Sequence, residues 1–257
     1  MVVCLYDGCC KFEPNQHNHV YCNEHKCKRK EENRKARLEH PLEYDEETFE
    51  LQEKRKRALL ARKDARNEWI WKNKSFAMFD LETTDLKADG GQILCGSIKP
   101  LGKPIETYRS DIYAECGGDD HSILRIIRDR LRDFDYIVTW YGTGFDMPFL
   151  KTRLLLNNLD SLGETYHYDL YYTSRYHFLF NSNRMQSVEE ALFQGKTHKT
   201  RLSRVLWAKA QSFNYKERIE ALNYIADHCE MDVISLEEIF LKIGKSKDVS
   251  SVPLRRY

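Results

Sequence analysis

No apolar run in this sequence approaches the ~20 residues of a membrane span, so no membrane-crossing helix is expected. The N-terminus, Met1-Val-Val-Cys-Leu-Tyr-Asp7, lacks the basic start and apolar core of a signal peptide. Cysteine is scarce along most of the chain: five of the eight fall within the first 27 residues, beside histidines. That crowding argues against a disulfide framework and for bound metal in a reducing compartment. These absences point to a soluble intracellular protein, cytoplasmic or, for a viral one, in the host cytoplasm. Its 257 residues are enough for one α/β domain with something smaller attached.

Net charge is also nearly missing, a formal +1, but it is unevenly spread. Residues 26–74 hold 16 Lys+Arg against 11 Asp+Glu, which leaves 25 against 29 elsewhere. A basic arm beside a mildly acidic domain suits a polyanionic partner, although a merely solvated helix has the same composition. Between residues 28 and 73 there is no glycine and one proline, Pro41. The stretch is dominated by Lys, Arg, Glu, Ala and Leu, all strong helix formers, so the arm is expected as two helices broken near Pro41. Asp45 is the expected N-cap of the second. Trp69, Ile70 and Trp71 are expected to dock on the domain that follows. The organisation expected is a module over 1–27, a charged helical linker over 28–74, a larger domain over 75–245 and a basic tail over 246–257.

In the N-terminal module, Cys4-x4-Cys9 and Cys22-x2-His25 supply two ligand pairs separated by a loop, the arrangement a tetrahedral Zn²⁺ needs. Cys10 is an alternative to Cys9 and Cys27 to His25, and His17 and His19 lie in the loop. So short a segment has little room for a core, so the metal would supply most of its folding free energy. The pattern resembles small treble-clef or ribbon-type zinc fingers attached to nucleic-acid enzymes.

The stretch that organises the rest is Ser75-Phe-Ala-Met-Phe-Asp-Leu-Glu-Thr-Thr-Asp-Leu86. Phe76–Phe79 is the apolar run of a buried strand, and Asp80 and Glu82, two apart, leave the same face of it. Side-by-side carboxylates need a proton or a cation to offset their repulsion, and metal-ion catalysis uses such pairs. An ordinary acidic turn is the competing reading. Strands near 92–98 and 105–109 follow, implying an antiparallel meander. A helix over 120–132 and a strand at 136–140 lead to the glycine-rich bend that carries Asp146 into another helix. Asp146 is either a third site carboxylate or a helix N-terminal Asp. A further strand over 165–171 contains Asp169, and a basic loop carries Lys196, Lys199, Arg201 and Arg204. In the last helix, about 215–241, His228 and Asp232 are four apart and share one face. An Asp on that apolar stripe is costly unless a cation or hydrogen bonds satisfy it.

Phe-Asp-Leu-Glu-Thr-Thr (79–84), Gly-Thr-Gly-Phe-Asp-Met-Pro-Phe-Leu (142–150) and His-Cys-Glu-Met-Asp-Val (228–233) resemble the three exonuclease motifs of the DEDD superfamily. The likeness is to the ribonuclease H-like exonucleases related to the proofreading domains of family B DNA polymerases. It covers roughly residues 75–242 and leaves out the zinc module and the arm. It implies a ribonuclease H-like α/β fold, a mixed five-stranded sheet flanked by helices. It also implies that Asp80, Glu82, Asp146 and Asp232 bind two Mg²⁺ or Mn²⁺ ions, that Phe145 packs near the terminal base, and that Thr83 and Thr84 contact the terminal nucleotide.

Two positions depart from the family pattern. His228 stands four before Asp232, where tyrosine is usual, and a histidine of near-neutral pKa can take a proton from water directly or hold the carboxylates. Tyr141 stands five before Asp146, where the polymerase-type motif has Asn. The reading is a 3′–5′ exonuclease acting on single-stranded DNA, with a replication or repair protein as a further partner for the zinc module. Its rivals are a 3′–5′ exoribonuclease and a non-catalytic zinc-finger adaptor that keeps the fold.

Overall fold

The computed structural model describes residues 2–3, 11–12, 28–35, 46–113, 119–198, 200, 202–244 and 255–256. The chain divides into two units, Met1–Leu60 and Ala61–Tyr257. In the first, β1 (Val2–Val3) pairs antiparallel with β2 (Lys11–Phe12), and helix α1 covers 28–35. Helix α2 (Glu46–Asn73) begins in the first unit and ends in the second. The described parts of the arm, 28–35 and Glu46–Asn73, are helical, while Pro41 and Asp45, the expected break and N-cap, lie outside the described residues. At the end of α2, Ile70 is buried, and Trp71 stacks on Phe76 at 5.1 Å and lies 4.9 Å from Phe240. Trp69 does not dock with them and is 56% exposed. Successive helical residues point roughly 100° apart, so three in a row cannot all face one surface.

The second unit is built on a mixed sheet. Its strands are β3 (Phe76–Thr83), β4 (Ile93–Pro100), β5 (Glu106–Arg109), β6 (Tyr136–Thr139) and β7 (Tyr166–Asp169). A two-residue edge strand, β8 (Arg255–Arg256), adds to β7, giving the order β5-β4-β3-β6-β7-β8. β4 runs antiparallel to β3 and β5, whereas β6 runs parallel to β3 and β7. This is the expected meander followed by parallel additions, with the five expected strands at its centre. The start of β3 is tied to the start of β6 by Asp135, whose carboxylate accepts from the Ser75 amide at 2.9 Å, the Ser75 hydroxyl at 3.0 Å and Lys74 at 2.7 Å. Burial pushes this carboxyl up, but those three bonds outweigh it and hold the group below its ordinary value.

The helices are α3 (Ser110–Tyr113), α4 (His121–Leu131), α5 (Asp146–Leu156), α6 (Leu170–His177), α7 (Met185–Leu192), α8 (Arg204–Ala210) and α9 (Tyr215–Ile243). α6 and α8 are not evident from the sequence. In the run Tyr166-His-Tyr-Asp-Leu-Tyr171 the strand stops at Asp169, because that side chain caps α6 by accepting from the Tyr171 amide. β3 alternates cleanly: Phe76 and Met78 pack with Val233, Leu236 and Phe240 of α9, while Ala77, Phe79 and Leu81 pack with residues of α4 and α5. The sheet is thus covered on both faces, the condition under which a strand reads as a continuous apolar run. Among the described residues, no helix is long and apolar enough to cross a membrane.

Candidate active site

Asp80 and Glu82 share the parity of Phe76 and Met78, so they leave β3 on the face that α9 covers. A register shift between Glu82 and Thr83 marks a bulge where the strand leaves the sheet. On α9 the buried stripe includes His228, Cys229, Asp232 and Val233. The helical period that aligns His228 with Asp232 turns both toward the acids of β3. His228 Nε2 lies 3.7 Å from Glu82 Oε1 and 3.7 Å from Asp232 Oδ2. Cys229 Sγ donates to the Asp80 main-chain oxygen and to Asp80 Oδ2, both at 3.4 Å, and burial pushes its thiol pKa up.

Asp146 is the first residue of α5 and is 4% exposed. β6 pairs with β3 only as far as Met78, and beyond that point the Leu81 amide donates to Asp146 Oδ1 at 3.1 Å. Burial, and then the charges of Asp169 and Asp232, raise this carboxyl to about 7 despite the backbone bonds it accepts. Asp80, Asp146 and Asp232 line one cleft of about 600 Å³ with Phe145, Tyr141 and Tyr171. Glu82 lines a second cleft of about 520 Å³ with Thr83, Thr84, Arg204 and Trp207. Phe145 borders both.

The histidine has a partner that spacing does not reveal. Thr200 Oγ1 hydrogen-bonds His228 Nδ1. For Nε2 to accept a proton, Nδ1 must carry the ring hydrogen and donate it to Thr200. The loop that delivers Thr200 is anchored at buried Glu189, which accepts from the Thr197 hydroxyl at 2.5 Å and the His198 amide at 3.2 Å. Nothing in the sequence marks Thr200, which lies among basic residues read as a phosphate-contacting or solvated loop. Of those residues, Lys196 is exposed, Arg204 lines the second cleft, and Lys199 and Arg201 lie outside the described residues.

Two substrate-contact expectations acquire detail. Thr83 Oγ1 donates to the Asp85 main-chain oxygen at 2.7 Å, and Thr84 Oγ1 accepts from the Gln92 amide at 2.9 Å. Both hydroxyls therefore hold the 83–92 turn at the rim of the second cleft. Asp169 and Asp120 are structural acids. Asp169 accepts from the Tyr141, Thr143 and Tyr171 amides, fixing the glycine-rich bend. Fully buried Asp120 accepts from the Ile93 amide at 2.9 Å and from Arg153 through two bonds of 2.9 and 2.6 Å. The expected zinc ligands Cys4, Cys9, Cys22 and His25, with the alternates Cys10 and Cys27, lie outside the described residues.

An all-carboxylate donor set of Asp80, Glu82, Asp146 and Asp232 suits hard divalent cations, and a buried carboxyl raised to about 7 is a charge that such a cation would stabilise. Glu189, His198 and Glu238 form a separate group whose ligand atoms lie within 4.8 Å of one another. Its Glu189 already accepts from Thr197 and His198, so that group serves to anchor the loop.

No curated protein matches the chain. Among solved structures, the family B DNA polymerase from the hyperthermophilic archaeon Pyrobaculum calidifontis is similar, with a TM-score of 0.53 and 18% identity. The match covers 70% of this chain but only 26% of the polymerase chain, and at that identity it shows the fold alone. The sequence pattern of the RNase_H superfamily matches residues 77–243, the span from β3 to the end of α9, and the chain belongs to that superfamily.

Proposed function

We propose that the protein is a metal-dependent 3′–5′ exonuclease that hydrolyses the terminal phosphodiester bond of single-stranded DNA. Superfamily membership supports nuclease chemistry in general. The observation that carries the finer reading is the convergence of Asp80, Asp146 and Asp232, from three separate elements, on one cleft, with His228 Nε2 within 3.7 Å of Glu82 and Asp232. In this reading Asp80, Glu82, Asp146 and Asp232 hold two Mg²⁺ or Mn²⁺ ions, which when bound would acidify the attacking water and offset charge in the transition state. His228 Nε2 takes the water's proton, while Thr200 keeps the ring hydrogen on Nδ1. Attack at phosphorus breaks the bond to the 3′ oxygen, releasing a nucleoside 5′-monophosphate and leaving a shortened strand with a 3′ hydroxyl. Phe145 packs on the departing base, and Thr83 and Thr84 border the terminal nucleotide.

The N-terminal module belongs to the same proposal: Cys4, Cys9, Cys22 and His25 bind a structural Zn²⁺, and the module with the basic arm adds phosphate contacts or recruits a replication or repair protein. The test is digestion of 5′-labelled DNA and RNA oligonucleotides with Mg²⁺, with Mn²⁺ and with chelator. A ladder shortening from the 3′ end of DNA, lost on chelation and in Asp80→Ala, is expected. Digestion of RNA with DNA left intact would overturn the substrate assignment, and activity that survives Asp80→Ala would overturn the site. Metal analysis of the purified chain tests the zinc, with one equivalent expected and a loss in Cys22→Ser.

A further inference from the structure

Tyrosines continue the wall of the acid-lined cleft. Tyr141 and Tyr171 line that cleft and meet edge to face at 4.9 Å. Tyr171 meets Tyr172 at 5.1 Å, and Tyr172 stacks on Tyr176 at 5.9 Å with planes 19° apart. Tyr141 is 45% exposed and Tyr176 69%. From Tyr171 to Tyr176 helix α6 advances about 7 Å, the scale of one to two nucleotides. Scattered exposed aromatics are common and need no explanation. This row differs because it is continuous and starts at the acids.

Its first member is also built at a cost. Tyr141 has φ 63°, a left-handed conformation that aromatic residues rarely adopt. Asp169 holds it there by accepting from the Tyr141 amide at 2.9 Å. Its ring lies over Gly144, where a Cβ would come within 2.5 Å of the ring carbons. Strain retained in this way clusters at sites that use it. Two cations flank the row: Arg175, which donates to the Tyr171 hydroxyl at 3.3 Å, and Arg184 on the wall of the same cleft.

We propose that Tyr141, Tyr171, Tyr172 and Tyr176 form a stacking platform for the unpaired bases next to the terminal nucleotide of a single-stranded polynucleotide. The proposal rests on the nuclease reading of the cleft. Every base has a π-face, so such a platform tolerates any sequence, whereas a duplex keeps its base faces stacked on one another. Arg175 and Arg184 are suited to the phosphates that link the stacked bases.

The test uses the full chain with Tyr172→Ala, Tyr176→Ala and Tyr176→Trp. Binding of fluorescein-labelled dT12 and of a blunt 12-base-pair duplex is read by anisotropy in chelator, where no cleavage is needed. At 1–3 kcal/mol per stacked base, each alanine variant should lose about 5- to 150-fold in dT12 affinity, with Tyr176→Trp close to wild type and little change for the duplex. In Mg²⁺, the KM advantage of dT12 over the dinucleotide dT2 should narrow at least about fivefold in Tyr176→Ala, a length-dependent loss that general destabilisation would not produce. Unchanged dT12 affinity in both alanine variants, or an equal loss for duplex and single strand, overturns the platform. Failure of the nuclease reading would appear separately, as no product from any oligonucleotide, and leaves the binding result interpretable.

Discussion

The backbone amide of Leu81, the residue between Asp80 and Glu82, donates to the Asp146 carboxylate at 3.1 Å. The strand that carries two of the acids is thereby fastened to the third. Asparagine at position 146 keeps an oxygen acceptor for that amide but removes the charge. Asp146→Asn should therefore fold while losing about 10³-fold in kcat, the scale of several kcal/mol of lost metal-assisted stabilisation. Circular dichroism alongside single-turnover cleavage checks both halves, and an active Asp146→Asn would remove this residue from the site.

The Asp146 carboxyl also predicts how stability depends on pH. Its folded-state value of about 7 lies above the ordinary 3.8, so the folded protein holds this proton more tightly than the unfolded chain does. The resulting stability is fully present below about pH 4 and is lost as pH rises through about 7, a span on the order of 4 kcal/mol. In chelator, the melting temperature of the wild type should fall relative to Asp146→Asn between pH 5 and pH 8. Mg²⁺ should bind more tightly at pH 8 than at pH 6, because it competes with that proton. A difference curve that is flat with pH would contradict the assignment.

Thr200 and His228 should act together. His228→Ala is expected to lower kcat by about 10²–10⁴-fold, the usual contribution of a general base. Thr200→Val, which removes the Nδ1 partner, should cost about tenfold, in the range found for groups that orient a site residue, while Thr200→Ser keeps the bond. The double variant should be no worse than His228→Ala alone. Additive losses would mean that Thr200 works independently of the histidine.

Away from the site, Arg153→Met leaves the buried Asp120 carboxylate without the two bonds that Arg153 supplies. Breaking one side of a buried pair typically costs about 3–5 kcal/mol. Urea unfolding should show a lower midpoint, and the loss should shrink in Asp120→Asn/Arg153→Met, where no charge remains to be satisfied.

Much of this fold is legible in one dimension. The apolar runs at Phe76–Phe79 and 136–139 are continuous because both faces of those strands are buried, while the stripe of α9 follows a period of 3.6 that reports which face is buried. The strand and helix periods also put Asp80 with Glu82, and His228 with Asp232, on shared faces. The short helices α6 and α8 escape such reading because their buried positions carry no apolar stripe: Leu170, Thr173 and Ser174 in α6, and Ala210 in α8. At Trp69 the composition is right but the direction wrong, since aromatic character does not say which way a helix is turned.

What the sequence alone determined is therefore local: element types, the parity of the two β3 acids, and the acids' approximate order along the chain. Only the tertiary structure decided their company. Cys229 reaches Asp80 across 149 residues, Asp146 reaches the Leu81 amide across 65, and Thr200 reaches His228 across 28. Those separations are bridged by how helices pack on the sheet. That packing follows from shape and burial summed over the whole core, and no period along the chain records it.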